Sequence, residues 1–91
     1  MRKLRIEVSG DPENYACITA YLWLLELTQI IADEFNTEVE VEWSKQVYQF
    51  EPTILINGEV VFEGLPSEAG YLYEAIKAFL EKKLKSQTTN Y

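Results

Sequence analysis

Two stretches of the chain alternate apolar and polar side chains with a period of two, which predicts half-buried β-strands. In the first stretch, Leu4, Ile6 and Val8 alternate with charged or small polar residues, and the turn-forming segment 10–12 ends it. In the second stretch, residues 38–43 alternate glutamate with valine and tryptophan. Each strand is therefore expected to have one apolar face and one charged face.

A second pair of strands is predicted around a tight turn. Residues 53–56 read as a strand that is apolar on both faces, which is typical of a central position in a sheet. Asn57-Gly58 is the strongest short signal for a hairpin, and residues 60–62 return as a fourth strand. Gly64 ends that strand, and residues 44–51 are expected to be irregular or to form one short helical turn.

Two longer segments show the three- and four-residue spacing of amphipathic helices. The first runs from about Asn14 to Phe35, with either Asp11 or Asn14 capping its first turn. Its predicted buried face consists of Cys17, Tyr21, Leu22, Leu24, Leu25, Thr28, Ile31, Ala32 and Phe35. The second starts at Pro66 and Ser67 and runs to about Leu84. Its predicted buried stripe consists of Ala69, Leu72, Ala75 or Ile76, Phe79 and Leu80.

The resulting order, β-α-β-β-β-α, predicts one α/β domain over residues 3–85, with a flexible tail at 86–91. Because a helix joins the first two strands, they should be parallel, while the last two strands should form an antiparallel hairpin. We therefore expect a four-stranded mixed sheet with two long helices on one face. The charges of the first two strands should pair on the open face.

Composition excludes several classes of function. The net charge of −7 opposes the clustered lysine and arginine that phosphate contacts need, so nucleic acid is not an expected partner. The chain has no histidine, the commonest metal ligand and general base, and we expect no metal and no cofactor. The longest apolar run, 21–25, is too short to span a bilayer, and the start of the chain does not resemble a signal peptide. A cytoplasmic protein without a membrane partner is expected.

Residues 51–64, Glu-Pro-Thr-Ile-Leu-Ile-Asn-Gly-Glu-Val-Val-Phe-Glu-Gly, resemble the second half of the thioredoxin and glutaredoxin superfamily. There, a proline opens the third strand, a hairpin follows, and a glycine precedes the last helix. The resemblance extends over about residues 3–84 and implies a thioredoxin-like fold. It also implies that a cis peptide bond precedes Pro52 and that Pro52 lies beside the turn ahead of the first helix. Too few residues separate Trp43 from Pro52 for the family's full middle helix, which should be truncated or missing.

The same resemblance places Asn14-Tyr15-Ala16-Cys17 where the family has Cys-x-x-Cys, so that asparagine replaces the attacking thiol. Dithiol exchange needs an exposed thiolate of low pKa and a second thiol that resolves the mixed disulfide. Cys17 is the chain's single cysteine and has the position of the resolving thiol, so we expect no dithiol oxidoreductase activity. Cys17 is interpreted as a small buried hydrophobe. The alternative is a glutaredoxin-like one-thiol redox protein with Cys17 as its catalytic residue.

The leading functional hypothesis is a binding or adaptor module for a protein or peptide. The resemblance implies that an extended peptide pairs beside Pro52, where nearby carboxylates would favour a basic ligand. The alternative is that these carboxylates only cap the helix and face solvent. The candidate binding residues are Asp11, Glu13, Asn14, Glu51, Pro52 and Thr53.

A further hypothesis is a structural homodimer. The first helix carries Trp23 and Ile30 on the side that should face solvent, and tryptophan is enriched at interfaces. The alternative is that the C-terminal helix covers Trp23. The tyrosines, among them Tyr15 and Tyr48, are expected to pack in the core or at its rim.

Overall fold

A computed structural model describes residues 3–88 and shows an α/β fold with one four-stranded mixed sheet and two helices. In chain order the elements are β1 (Lys3–Gly10), α1 (Tyr15–Phe35), β2 (Glu38–Lys45), β3 (Thr53–Ile56), β4 (Glu59–Glu63) and α2 (Ala69–Thr88). The strand order in the sheet is β2-β1-β3-β4. β1 is parallel to β2 and antiparallel to β3, and β3 is antiparallel to β4. The predicted parallel pair, the hairpin and the internal position of β3 are confirmed.

Local signals explain the ends of α1 and the hairpin. Asn14 is the N-cap of α1, with its side-chain oxygen accepting a hydrogen bond from the backbone N–H of Cys17 at 3.2 Å, so of the two predicted caps Asn14 is the correct one. Asn36 ends α1 in the left-handed conformation, with φ 49°. In the hairpin, Asn57 and Gly58 have φ angles of 49° and 88°, which is the combination that a tight turn between two strands needs.

The helix α2 begins and ends later in the chain than predicted. It begins at Ala69 and not at Pro66 and Ser67. Its backbone continues to Thr88, whereas the sequence pattern predicted an end near Leu84. No glycine or proline follows Gly70 in the chain, so no breaker stops the helix earlier. Residues 86–88, predicted as tail, therefore belong to α2, and the rest of that tail, 89–91, lies outside the described residues.

Both helices pack on the same face of the sheet. The strand register brings Leu4, Ile6 and Val8 of β1 beside Ile54 and Ile56 of β3, and all five side chains are buried. They form one cluster with buried apolar residues of the two helices: Ala20, Leu24, Leu27, Ile31, Leu72, Ile76 and Leu80. The stacked layers of one sheet face and two helices therefore share a single core.

Two residues of α1 do not join this core, and the prediction for them is wrong. Leu22 and Leu25 were expected to widen the buried face, but they are 51% and 46% exposed. The buried residues of α1 are Cys17, Ala20, Leu24, Leu27 and Ile31, which repeat every three or four positions. The sheet contacts a stripe of this width, and side chains a further step around the helix remain outside it.

The other face of the sheet carries the charged residues of β1 and β2, as predicted. Lys3 lies opposite Glu38 and Arg5 opposite Glu40, while Glu7 lies opposite Glu42. The Nζ atom of Lys3 is 3.7 Å from Oε1 of Glu40, and both side chains are about half exposed. Pairs of this kind contribute little stability, at most about 1 kcal/mol, because water screens them.

A polar contact links α1 to α2 outside the core. The hydroxyl of Tyr73 donates a hydrogen bond to Oε1 of Glu34, and Nζ of Lys77 lies 3.4 Å from the second carboxylate oxygen. The Tyr73 hydroxyl first, and then the positive charge of Lys77, hold the pKa of Glu34 below its ordinary value. The carboxylate therefore stabilises the contact only while it is charged.

We expect Glu34→Gln to lower the free energy of unfolding at neutral pH and to have no effect in strong acid. Since the folded-state pKa of Glu34 is lowered, its contribution is fully present above the ordinary carboxyl pKa and is lost as the pH falls through the folded-state value. Urea unfolding of both proteins from about pH 7 down to about pH 2 measures the difference. The difference in unfolding free energy between Tyr73→Phe and the wild type should also become smaller as the pH falls. A difference in unfolding free energy between variant and wild type that stays constant over this pH range contradicts the prediction.

Candidate functional site

The turn between β1 and α1 meets the loop between β2 and β3, which we call the β2–β3 loop (residues 46–51). The backbone N–H of Asp11 donates to the carbonyl oxygen of Gln49 at 2.8 Å. The carbonyl oxygen of Gly10 accepts two hydrogen bonds, from the backbone N–H of Gln46 at 3.0 Å and from the indole Nε1 of Trp43 at 3.1 Å. These contacts join the turn to the loop that leads to Pro52, whereas the position of Pro52 itself beside the turn stays a prediction.

Asp11 binds backbone N–H groups with both of its carboxylate oxygens, and one of these groups lies in the β2–β3 loop. Its side chain is buried; Oδ1 accepts from the backbone N–H of Glu13 at 2.8 Å, and Oδ2 accepts from that of Tyr48 at 2.7 Å. These two hydrogen bonds, the one from Glu13 first, hold the pKa of Asp11 below its ordinary value despite burial. The carboxylate is thus a structural brace across the site.

Gln49 is the second brace, and no feature of the sequence singled it out. Its side-chain Oε1 accepts from the hydroxyl of Ser9 at 3.0 Å, and its Nε2 donates to the carbonyl oxygen of Ser9 at 2.9 Å. The same Nε2 lies 3.1 Å from the carbonyl oxygen of Glu51 and 3.3 Å from the hydroxyl of Thr53. The loop is therefore held to both β1 and β3.

Pro52 differs from the expectation in two ways. The described residues contain no cis peptide bond, so the predicted cis bond before Pro52 is wrong and the bond is trans, the isomer that X-Pro bonds favour intrinsically. Pro52 is fully buried, and its carbonyl oxygen accepts from the backbone N–H of Gly64 at 2.7 Å. Proline has no N–H of its own. Pro52 therefore offers no backbone group with which an extended peptide could pair.

Cys17 has no exposed surface. Its Sγ lies 3.6 Å from the carbonyl oxygen of Gln49, and its other side faces the backbone of Gly10. Burial raises the pKa of the thiol, whereas thiol exchange needs an accessible thiolate. The structure places Cys17 as a small buried side chain that fills the space between α1 and β1.

Asp11, Glu13 and Glu51, the carboxylates expected near Pro52, have different surroundings. Asp11 points to backbone N–H groups, as described above. Glu13 and Glu51 are exposed, and the carboxyl of Glu51 lies beside Gly64, where a Cβ atom would be 3.7 Å from its Cδ. Within residues 3–88, no group of three or more acidic or cysteine side chains is spaced to hold a metal ion.

The surface of the site is apolar. We define the loop cluster as Val47, Tyr48 and Phe50, whose side chains are 68%, 80% and 60% exposed. The rings of Tyr48 and Phe50 meet edge to face with 6.3 Å between their centres. Tyr15, at the first position of α1, is 79% exposed. The expectation that Tyr15 and Tyr48 pack in the core or at its rim is wrong for both. For Tyr48, Asp11 binds the backbone N–H and the side chain is left outside.

The two residues proposed for a dimer interface have different surroundings. Trp23 is half-buried and packs against the core, whereas Ile30 is 52% exposed. Ile30, Leu22 and Leu25 are the exposed large apolar side chains in the middle of α1. Trp23 is therefore accounted for by the fold, and only Ile30 is available at the surface.

The apolar composition of α1 also bears on the membrane. Within the described part of the chain, α1 is the one helix that is long and apolar enough to cross a bilayer. Core helices of soluble proteins have the same length and composition, so this is weak evidence. Here Leu24 and Ile31 of α1 are fully buried in the shared core.

Comparison with protein-family models gives no match, and comparison with curated proteins gives none. The function is therefore inferred from the surface and chemistry of the site.

Proposed function

We propose that this protein is a non-enzymatic binding module that holds a partner protein through the loop cluster. The observation that carries this proposal is the exposure of three large apolar side chains, Val47, Tyr48 and Phe50, on one short loop. Exposed apolar groups cost free energy in water, and aromatic side chains grouped at the surface are typical of protein-binding sites. A partner that covers them removes this cost.

The fixed backbone of the loop supports the same conclusion. The carboxylate of Asp11 accepts a hydrogen bond from the N–H of Tyr48. Both the oxygen and the nitrogen of the Gln49 side-chain amide form hydrogen bonds with Ser9. A partner that binds a loop already ordered does not have to offset the entropy of ordering it. The loop cluster is thus both exposed and pre-arranged.

The chemistry of the neighbouring residues supports binding without redox turnover. The position that needs an attacking thiol holds Asn14, which caps α1, and Cys17 is buried with a raised pKa. Glu13, ahead of α1, and Glu51, in the loop, are exposed acidic residues, while Lys45, just before the loop, is an exposed basic one. The partner is therefore expected to carry basic residues opposite the two glutamates and an acidic residue opposite Lys45, around an apolar centre. A single free thiol is compatible with the cytoplasmic location that we also propose.

We further propose that the domain is thioredoxin-like. The strand order β2-β1-β3-β4, with the parallel pair β1–β2 and the hairpin β3–β4, supports this assignment. The trans bond before Pro52 departs from the family's pattern, and so do the turns that occupy residues 46–52 where the family has its middle helix. In such a fold the loop cluster would lie beside the position of the lost active site.

The double substitution Val47→Ser/Phe50→Ser is expected to weaken binding of the partner by at least about tenfold, because buried aromatic and apolar anchors carry most of the energy of an interface. Stability should change little, since both side chains are exposed. Immobilised protein is used to isolate partners from a lysate of the source cells, and the affinity of the purified partner is then measured by titration. Val60→Ser, a 53% exposed position on β4, is the matched control. Equal affinity of the double variant and the wild type contradicts the proposal.

A further inference from the structure

We propose that the outer edge of β2 binds an extended strand of a second protein in which basic and apolar residues alternate. This surface is separate from the loop cluster and does not depend on the function proposed for it. Three features of β2 support it: its position in the sheet, the side chains of its two faces and the strand that already pairs with it.

The first observation is that β2 lies at the edge of the sheet. It is the outermost strand in the order β2-β1-β3-β4, it is eight residues long, and β1 is its neighbour. Within the described residues, no strand pairs with its other side. An edge of this length presents a row of backbone N–H and C=O groups to which an extended peptide can add as another strand.

The second observation is the charge on the open face of this edge. Glu38, Glu40 and Glu42 are all exposed and alternate along β2, so their side chains point to the same side of the sheet. An added strand would place every second side chain directly opposite one of these glutamates, at a Cβ separation of about 5 Å. Lysine or arginine at those positions gives favourable pairs, and acidic residues give unfavourable ones.

The third observation is that β1 already shows the complementary sequence on the inner side of β2. It places Lys3 opposite Glu38 and Arg5 opposite Glu40, and Lys3 forms an ion pair with Glu40. At the next pair, however, Glu7 lies opposite Glu42, so two like charges face each other. β1 therefore leaves negative charge uncompensated along β2, and a basic strand on the outer side would compensate it.

The other face of β2 defines the remaining residues of the incoming strand. Val39, Val41 and Trp43 point toward α1 and are only half-buried, whereas the apolar residues of the inner strands β1 and β3 on this face are buried. Apolar side chains at the alternate positions of an added strand would extend the core over them. The preferred ligand is thus a strand in which a basic residue and a valine-like residue alternate.

Other occupants fit this edge poorly. If two copies of the chain paired through β2, the glutamates of one strand would face those of the other, which is destabilising. Nucleic acid would bring phosphates toward the same glutamates, on a protein with a net charge of −7. A basic strand of a different protein satisfies both the backbone groups and the charges.

The test uses the full chain and a defined probe, the peptide Lys-Val-Lys-Val-Lys-Val-Lys with an acetylated N-terminus and an amidated C-terminus. NMR titration should show shifts and slowed exchange of the β2 amides when the peptide binds. Glu38→Gln/Glu40→Gln/Glu42→Gln should weaken this binding by about tenfold, which corresponds to about twofold for each lost pair. A variant with the same net charge, Glu26→Gln/Glu68→Gln/Glu81→Gln, alters exposed glutamates elsewhere and should bind like the wild type.

Two control peptides separate strand pairing from simple charge attraction. A peptide with N-methyl groups on alternate amides keeps its charge but cannot complete the row of hydrogen bonds, and a peptide with glutamate in place of lysine reverses the charge. Neither should bind. The proposal is overturned if the first peptide causes no shift at millimolar concentration, if the N-methylated peptide binds equally well, or if the two triple variants bind alike. A dimer of the protein that protects the β2 amides would also overturn it.

Discussion

Replacing Gly10 by alanine is expected to destabilise the domain by about 2–3 kcal/mol, because the new methyl group would overlap with a buried side chain. A Cβ atom at Gly10 would lie well inside the van der Waals contact distance to Sγ of Cys17 and 3.2 Å from its Cβ. The strand cannot move away easily, because the carbonyl oxygen of Gly10 holds both Trp43 and Gln46. Urea unfolding at neutral pH measures the loss.

The Cys17 side chain, with which the new methyl group would overlap, can itself be truncated, and this makes the prediction specific. In the double variant Gly10→Ala/Cys17→Ala the overlap with sulfur is absent, and only the 3.2 Å approach of the two Cβ atoms remains. The two substitutions should therefore be non-additive, with a coupling free energy of about 1–2 kcal/mol in a double-mutant cycle. Additive effects would show that Gly10 is required for some other reason.

Gly70→Ala is the matched control for this experiment. Gly70 lies in α2, where a Cβ atom would meet only the end of the Glu68 side chain at 3.7 Å. Alanine has a higher helix propensity than glycine, so this substitution should stabilise the protein by about 0.5–1 kcal/mol. Opposite signs at the two glycines would assign the loss at Gly10 to close packing and not to a general effect of replacing glycine.

The packing of Cys17 against Gly10 also explains why this cysteine is unsuited to thiol exchange. An attacking group would need to reach Sγ from a side that the backbone of Gly10 and the carbonyl oxygen of Gln49 occupy. Burial raises the pKa of the thiol as well, so steric access and ionisation fail together. The same residue that suggested a redox site in the sequence thus serves to bring α1 close to β1.

Much of the fold could be predicted because its signals are local. The alternation in β1 and β2 and the Asn57-Gly58 turn depend on neighbouring residues, and both were placed correctly. The cap of α1 was narrowed to Asp11 or Asn14, of which the structure has Asn14. Leu22 and Leu25 were misplaced because periodicity shows that α1 has an apolar side but not how much of it the sheet covers. The width of that contact depends on the curvature and packing of other elements.

The candidate site was predictable only in outline. The resemblance implied that the turn before α1 lies beside Pro52, and it also implied a cis bond that the structure does not have. The carbonyl oxygen of Pro52 already accepts a hydrogen bond from Gly64. The contact that organises the site joins Asp11 to Tyr48, residues 37 positions apart, and Gln49 reaches Ser9 from 40 positions away. No local pattern encodes contacts at this separation, so the exposure of the loop cluster could not be read from the sequence.

Asp11→Asn is expected to release the β2–β3 loop and to abolish its use as a binding surface. Asparagine has one acceptor oxygen where aspartate has two, so its amino group would face the N–H of either Glu13 or Tyr48. Loss of a hydrogen bond to a charged acceptor should accelerate hydrogen exchange of the Tyr48 amide by about ten- to a hundredfold. Since the pKa of Asp11 is lowered in the folded state, its stabilising effect is present above the ordinary carboxyl pKa and disappears in stronger acid.

The control for this variant is Asp33→Asn, which makes the same chemical change at an exposed position of α1 where the carboxylate accepts from the side chain of Gln29. Exchange of the Tyr48 amide and partner affinity should both be unchanged in it. In Asp11→Asn both should change, and the difference in unfolding free energy from the wild type should vanish as the pH falls. If the loop loosens while the partner still binds with full affinity, the binding surface lies elsewhere, because apolar side chains on a mobile loop must lose affinity to the entropy of ordering it.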